Sequence, residues 1–105
     1  MIWQKSELTF AKSNSVSGKK YDIDIAEYDA LIATLSKSNA VFASVYALKA
    51  QMISNATNHL NPGGKYSDVA YDASVQFSVD QYVQKLQQIT TSDNSVLCQV
   101  YGIKL

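Results

Sequence analysis

Arginine is absent from this chain; all nine cations are lysines. Arginine's planar fork grips phosphate, carboxylate and base edges through two bonds at once, whereas lysine acts as a point charge. Nine acids offset the nine lysines, so the formal net charge is zero. Counterion release therefore offers no drive toward nucleic acid. Lys19 and Lys20 are the sole adjacent cations, and no basic groove can be assembled from the others. A nucleic-acid partner is not expected.

Cysteine and histidine occur once each, as Cys98 and His59. One cysteine cannot form an internal disulfide and gives no sign of an oxidising compartment. Little material remains for acid–base, nucleophilic or metal chemistry, so neither a cofactor nor a metal is expected. Long apolar runs are missing too: none approaches the ~18 residues that cross a bilayer as a helix. There is no basic amphipathic face for a membrane surface. The start, Met-Ile-Trp-Gln-Lys-Ser-Glu, lacks the basic-then-apolar form of a secretory signal. A small cytoplasmic product beginning at Met1 is the expectation.

What is present is a chain of 105 residues, the length of one domain. Apolar residues make up 47 %, an ordinary share, but charged residues only 17 %, against roughly 25 % in typical domains. The polar surface must be built from Ser, Thr, Asn and Gln. Such a surface has little long-range field to hold copies apart, which favours self-association.

Residues 1–12 alternate apolar and polar, as does the stretch around Tyr21, Ile23 and Ile25, with Asp22 and Asp24 between. Both read as strands, joined through the polar loop of residues 13–18 into an antiparallel hairpin. From Ile25 the apolar spacing becomes three and four: Ile25, Tyr28, Leu31, Ile32 and Leu35 predict a helix capped by Asp24, with Glu27 three residues on. Ser38 or Asn39 can cap a second, central helix reaching about Leu60. Asn61-Pro62-Gly63-Gly64 ends it. Residues 67–90 fit a continuous helix, or a short helix or strand followed by a helix over 79–90. The continuous helix is preferred because Pro and Gly are absent, although Ala73, Val75, Phe77 and Val79 alternate as a strand would. Gln76, Gln81, Gln84, Gln87 and Gln88 would form its wet face. Residues 95–105 read as the most apolar strand, with Val96, Cys98 and Val100 on one face and Leu97, Tyr101, Ile103 and Leu105 on the other. The fold predicted is α+β: an antiparallel sheet of about three strands, the N-terminal hairpin plus the C-terminal strand, with two or three helices on one face.

His59 would lie near the end of the central helix, where a cation is favoured by the dipole. Cys98 reads as a small buried hydrophobe. Nothing in the sequence brings the two together as a nucleophile and base. The acids Asp22, Asp24, Glu27 and Asp29 lack the spacing of a cation-binding loop and read as a strand's wet face and a helix's first turn. The best local candidate for ligand capture is Gly63-Gly64-Lys65 with Tyr66 and Tyr71, where glycine amides, a helix dipole and a lysine could together hold an anion. Seven tyrosines supply area and a polar tip at small entropic cost, which suits recognition surfaces.

A last strand apolar on both faces is either central and covered or part of an interface. Trp3, Leu97, Tyr101, Ile103 and Leu105 are therefore expected at a homodimer contact through sheet faces or edges. The functional expectation is a non-catalytic binding or interaction protein working as a small homo-oligomer, of the accessory or inhibitor kind made by mobile elements such as phages. The alternative is a small-molecule binder with a tyrosine- and amide-lined pocket between helices or subunits; a small enzyme comes third.

Overall fold

The apolar residues of this chain alternate far more than they spiral, and the chain folds accordingly into strands. A computed structural model describes residues 4–104, with side chains from residue 11 onward. Nine strands follow in order: β1 (Gln4–Ser13), β2 (Lys19–Asp24), β3 (Ala30–Lys37), β4 (Ala40–Leu48), β5 (Ala56–Leu60), β6 (Gly63–Tyr66), β7 (Val69–Val79), β8 (Gln84–Thr91) and β9 (Leu97–Lys104). One 3-10 turn, Lys49–Gln51, is the sole helical element among the described residues. The predicted α+β fold is thus replaced by an antiparallel β-sandwich.

One sheet, A, has the order β1-β9-β3-β4; the other, B, has β2-β8-β7-β5, with β6 also pairing to β7. The first strand pairs with the last and the second with the penultimate. The expected N-terminal hairpin therefore does not form, because β1 and β2 belong to opposite sheets. Between the sheets lies one core, to which β3 contributes Leu31, Ala33 and Leu35, β9 Cys98 and Val100, β7 Val75, Phe77 and Val79, and β8 Leu86 and Ile89. Inward and outward residues alternate along β7 and β9, as a pleated sheet with one face covered requires, while a bulge at Gln87 lets both Leu86 and Ile89 of β8 face the core.

Each predicted helix fails for a local reason. In residues 30–35 nearly every position is apolar, so a period of two and a period of 3.6 are both satisfied. The same holds for residues 40–48, where alanines imitate a helix. What separates these two runs is Ser38-Asn39, with φ of 52° and 64°. That is a two-residue hairpin turn with both residues left-handed, the geometry whose twist matches paired strands. Ser67 and Asp68, with φ of 49° and 66°, make the same turn between β6 and β7. Ser, Asn and Asp serve helix caps and left-handed turns alike, so the residues read as caps are turns. Asp24 behaves similarly: its Oδ1 accepts the Ala26 N–H at 2.8 Å, turning the chain rather than starting a helix. The alternation of Ala73, Val75, Phe77 and Val79 is the true signal in residues 67–90, and these side chains are all buried.

Pro62 does not end a helix; it interrupts a sheet edge. β5 pairs with residues 75–79 of β7 and β6 with residues 69–72. Pro62 sits buried between them, its carbonyl accepting the Ala73 N–H at 3.0 Å. Proline is tolerated there because an edge strand needs no donor on its outer side.

Candidate functional site

The candidate ligand residues lie where the β3–β4 and β6–β7 hairpins meet. Lys37, the last residue of β3, donates from Nζ to Tyr71 Oη at 2.7 Å and to Ser95 Oγ at 3.2 Å. The same ammonium stands 4.6 Å from the Tyr71 ring centre and 5.9 Å from that of Tyr66, within cation–π range. Phe42 of β4 completes the cluster, with ring centres 5.7 Å from Tyr66 and 6.0 Å from Tyr71. The Tyr71 hydrogen bond holds the Lys37 ammonium above its ordinary pKa. Asp93 is held below its ordinary value, chiefly by the Ser95 N–H, which donates to its Oδ1 at 2.6 Å.

Tyr66 and Tyr71 are thus brought together, half-buried, by a lysine that the sequence did not single out. Gly63, Gly64 and Lys65 stand differently. The helix expected to follow them is absent, and they lie in β6, so no helix dipole or loop of amides is aimed at an anion. Gly64 is glycine because β6 crosses close to β4: a Cβ there would come 2.9 Å from that of Ala43. Lys65 is exposed.

The expected interface residues Leu97, Tyr101 and Ile103 alternate along the outward side of β9. Register places Tyr101 beside Ile32 and Ile103 beside Ala30. Ile32, Thr34, Tyr101 and Ile103 line a groove of about 240 Å³ on this face, and the Thr34 hydroxyl is buried there with no hydrogen-bond partner among the described residues. Trp3 and Leu105 lie outside the described residues. In sheet order β9 is central, between β1 and β3, which accounts for its inward side, Cys98 and Val100, being fully buried.

His59 is on β5, not at a helix end. It is exposed, and its Nδ1 lies 3.1 Å from Ser74 Oγ. Cys98 is in the core, and burial pushes its thiol up to about 12. A nucleophile–base pair of the two does not form. Asp22 pairs with Lys85 at 3.6 Å across β2 and β8, while Glu27 and Asp29 lie in the connection to β3 rather than in a helix's first turn. Among the described residues no three His, Cys, Asp or Glu side chains gather as metal ligands. No helix of the described residues is long and apolar enough to cross a membrane.

The outward face of sheet B carries what the sequence reading misplaced. Gln76 and Gln88 stand opposite each other in register. With Gln87, Thr57, Lys20 and Lys85 they line a shallow depression of about 550 Å³, which Tyr21 and Val83 also border. Of the five glutamines expected on the wet face of a helix, the strand register gathers Gln76, Gln87 and Gln88 on this surface, whereas Gln81 lies in the turn before β8 and Gln84 lines another depression. The chain matches no known protein family, curated protein or solved structure.

Proposed function

We propose that this protein is a non-catalytic interaction protein working as a small homo-oligomer, in the cytoplasm, in an accessory or inhibitory role toward another protein. The observation that carries this reading is the outward side of sheet A. Ile32 and Tyr101 are half-buried there around a groove that Thr34 and Ile103 also line, and Leu97 is half-buried farther along the same side of β9. The solvated face of an antiparallel sheet ordinarily alternates to polar residues, and an apolar outward row supports contact with a further surface. The zero net charge removes long-range repulsion between copies. Sedimentation equilibrium over a range of concentrations is expected to give a dimer at tens of micromolar. A monomer throughout that range removes the reading.

A second reading is favoured by the sheet B depression: a binder of small neutral, hydroxyl-rich molecules. Each glutamine amide offers donors and an acceptor, which match hydroxyl groups in both roles. The tyrosine and amide lining anticipated between helices would here sit on a sheet face, since the described residues contain no α-helix. A rise in unfolding temperature with a neutral oligosaccharide such as cellohexaose, lost in Gln76→Ala, supports it. No shift in a panel of such sugars removes it.

A further inference from the structure

At one end of the sandwich two connections cross from sheet to sheet. Residues 25–29 lead from β2 in sheet B to β3 in sheet A, and residues 49–55 lead from β4 in sheet A to β5 in sheet B. Both leave sheet B beside the β7–β8 turn: the Ile25 N–H donates to Gln84 O at 3.0 Å, and the Asn55 N–H to Val79 O at 2.9 Å. Between the sheet ends lies a cavity of about 550 Å³, open to solvent and lined by Asp29, Leu48, Lys49, Ala50, Val79 and Gln84.

Hydrogen bonds fix its frame. The Lys49 N–H donates to Asp29 O at 2.8 Å. The Lys49 ammonium donates to Ile25 O at 3.3 Å and to Ala26 O at 2.9 Å, so one lysine ties the two crossing connections together. Desolvation holds that ammonium below its ordinary pKa, which marks the mouth as partly shielded from water. Gln84 is held from the turn: its Nε2 donates to Asp80 O at 3.1 Å. Asp80 in turn braces the turn, its Oδ1 accepting the N–H groups of Tyr82 and Val83.

The bond to Asp80 settles which way the Gln84 amide lies, since only its nitrogen can donate. Oε1 is left as the acceptor, buried and without a hydrogen-bond partner among the described residues. Native proteins rarely leave such an atom unmet, because it has lost water and gained nothing. The site therefore asks for a donor. It asks for no ion: Lys49 and Asp29 bring one charge of each sign, and the ammonium already has two carbonyl acceptors. Leu48, Ala50 and Val79 supply apolar wall.

We infer that this mouth binds a small neutral molecule with an apolar body and a single donor head, an alcohol or a phenol, whose O–H donates to Gln84 Oε1. The site is separate from the sheet A groove and the sheet B depression, and the inference depends on neither. Its selectivity comes from the donor, since an analogue lacking the proton leaves the buried acceptor unpaired.

Phenol and its methyl ether, anisole, share a ring and differ in that proton. Amide NMR titration of the unaltered protein with phenol is expected to give saturable shifts at residues 29, 48–50, 79 and 84. Anisole is expected to bind at least about tenfold more weakly. Gln84→Leu removes the acceptor and should bring the two affinities together. Ala50 is exposed, so Ala50→Trp fills the mouth without disturbing the core or Gln84, and should abolish the phenol shifts. The absence of saturable shifts overturns the inference and leaves the acceptor to water. Equal affinity for phenol and anisole overturns the role of Gln84 Oε1. Phenol binding that survives in folded Ala50→Trp overturns the location.

Discussion

Cys98 shows how one residue's setting decides its chemistry. Its side chain is fully buried between the sheets, and desolvation of the thiolate pushes the pKa to about 12. The thiolate is the reactive form, so the native protein is expected to be silent toward Ellman's reagent at pH 8. It should release one equivalent of thionitrobenzoate once unfolded in guanidinium. Reaction of the folded protein at the rate of a free thiol would refute this. Asp93 differs, because it is exposed and its carboxylate is favoured by the Ser95 amide. Its folded pKa lies below the unfolded value near 4. The stabilisation is therefore present above about pH 4 and lost as pH falls through the folded pKa. Asp93→Asn is expected to flatten the acid limb of a stability–pH curve measured by urea unfolding, by lowering the neutral plateau slightly while leaving the acid end near that of the unaltered protein. Burial of Cys98 in an apolar strand was legible from its neighbours. The Lys37 cluster was not, since Lys37 lies 34 residues before Tyr71 and only the meeting of two hairpins brings it to Tyr66 and Tyr71.

Among the elements, the two-residue turns matter most. Asn39 holds φ of 64°, a conformation that costs most residues about 1–2 kcal/mol. Asn39→Val is expected to destabilise the protein by about that amount, and Asn39→Gly to leave it within a few tenths or raise it slightly. Urea midpoints of the three proteins decide between this account and a turn of another type, for which Gly would be the worse substitute. Strands β1 and β2 were legible because their polar and apolar residues alternate, and β9 because a short, strongly apolar run after a turn reads as a strand. β3 and β4 were not, because a nearly unbroken apolar run satisfies either period, and Ser-Asn between two runs is equally a cap or a hairpin. The distinction is made by the partner strand, which sequence spacing does not contain.

For the whole molecule, the governing fact is pairing of the first strand with the last and the second with the penultimate. Loop closure over nearly the entire chain must precede the β1–β9 ladder, and such non-local topologies fold slowly. Stopped-flow refolding is expected in the millisecond-to-second range, not in microseconds; a microsecond phase carrying the full amplitude would contradict the topology. Composition alone set the neutral, arginine-free, amide-rich surface, the lack of a disulfide, and the burial of the C-terminal strand's inward residues. Those properties belong to residues one at a time or to near neighbours. Tertiary structure decided the rest: that ambiguous apolar runs became strands, that Gln76, Gln87 and Gln88 share one outward face, and that β4 was left as an uncharged edge. Each of these depends on which strand lies alongside which, and sheet pairing links residues distant in the chain. A helix can be judged from its own spacing, whereas a strand is completed only by its neighbour.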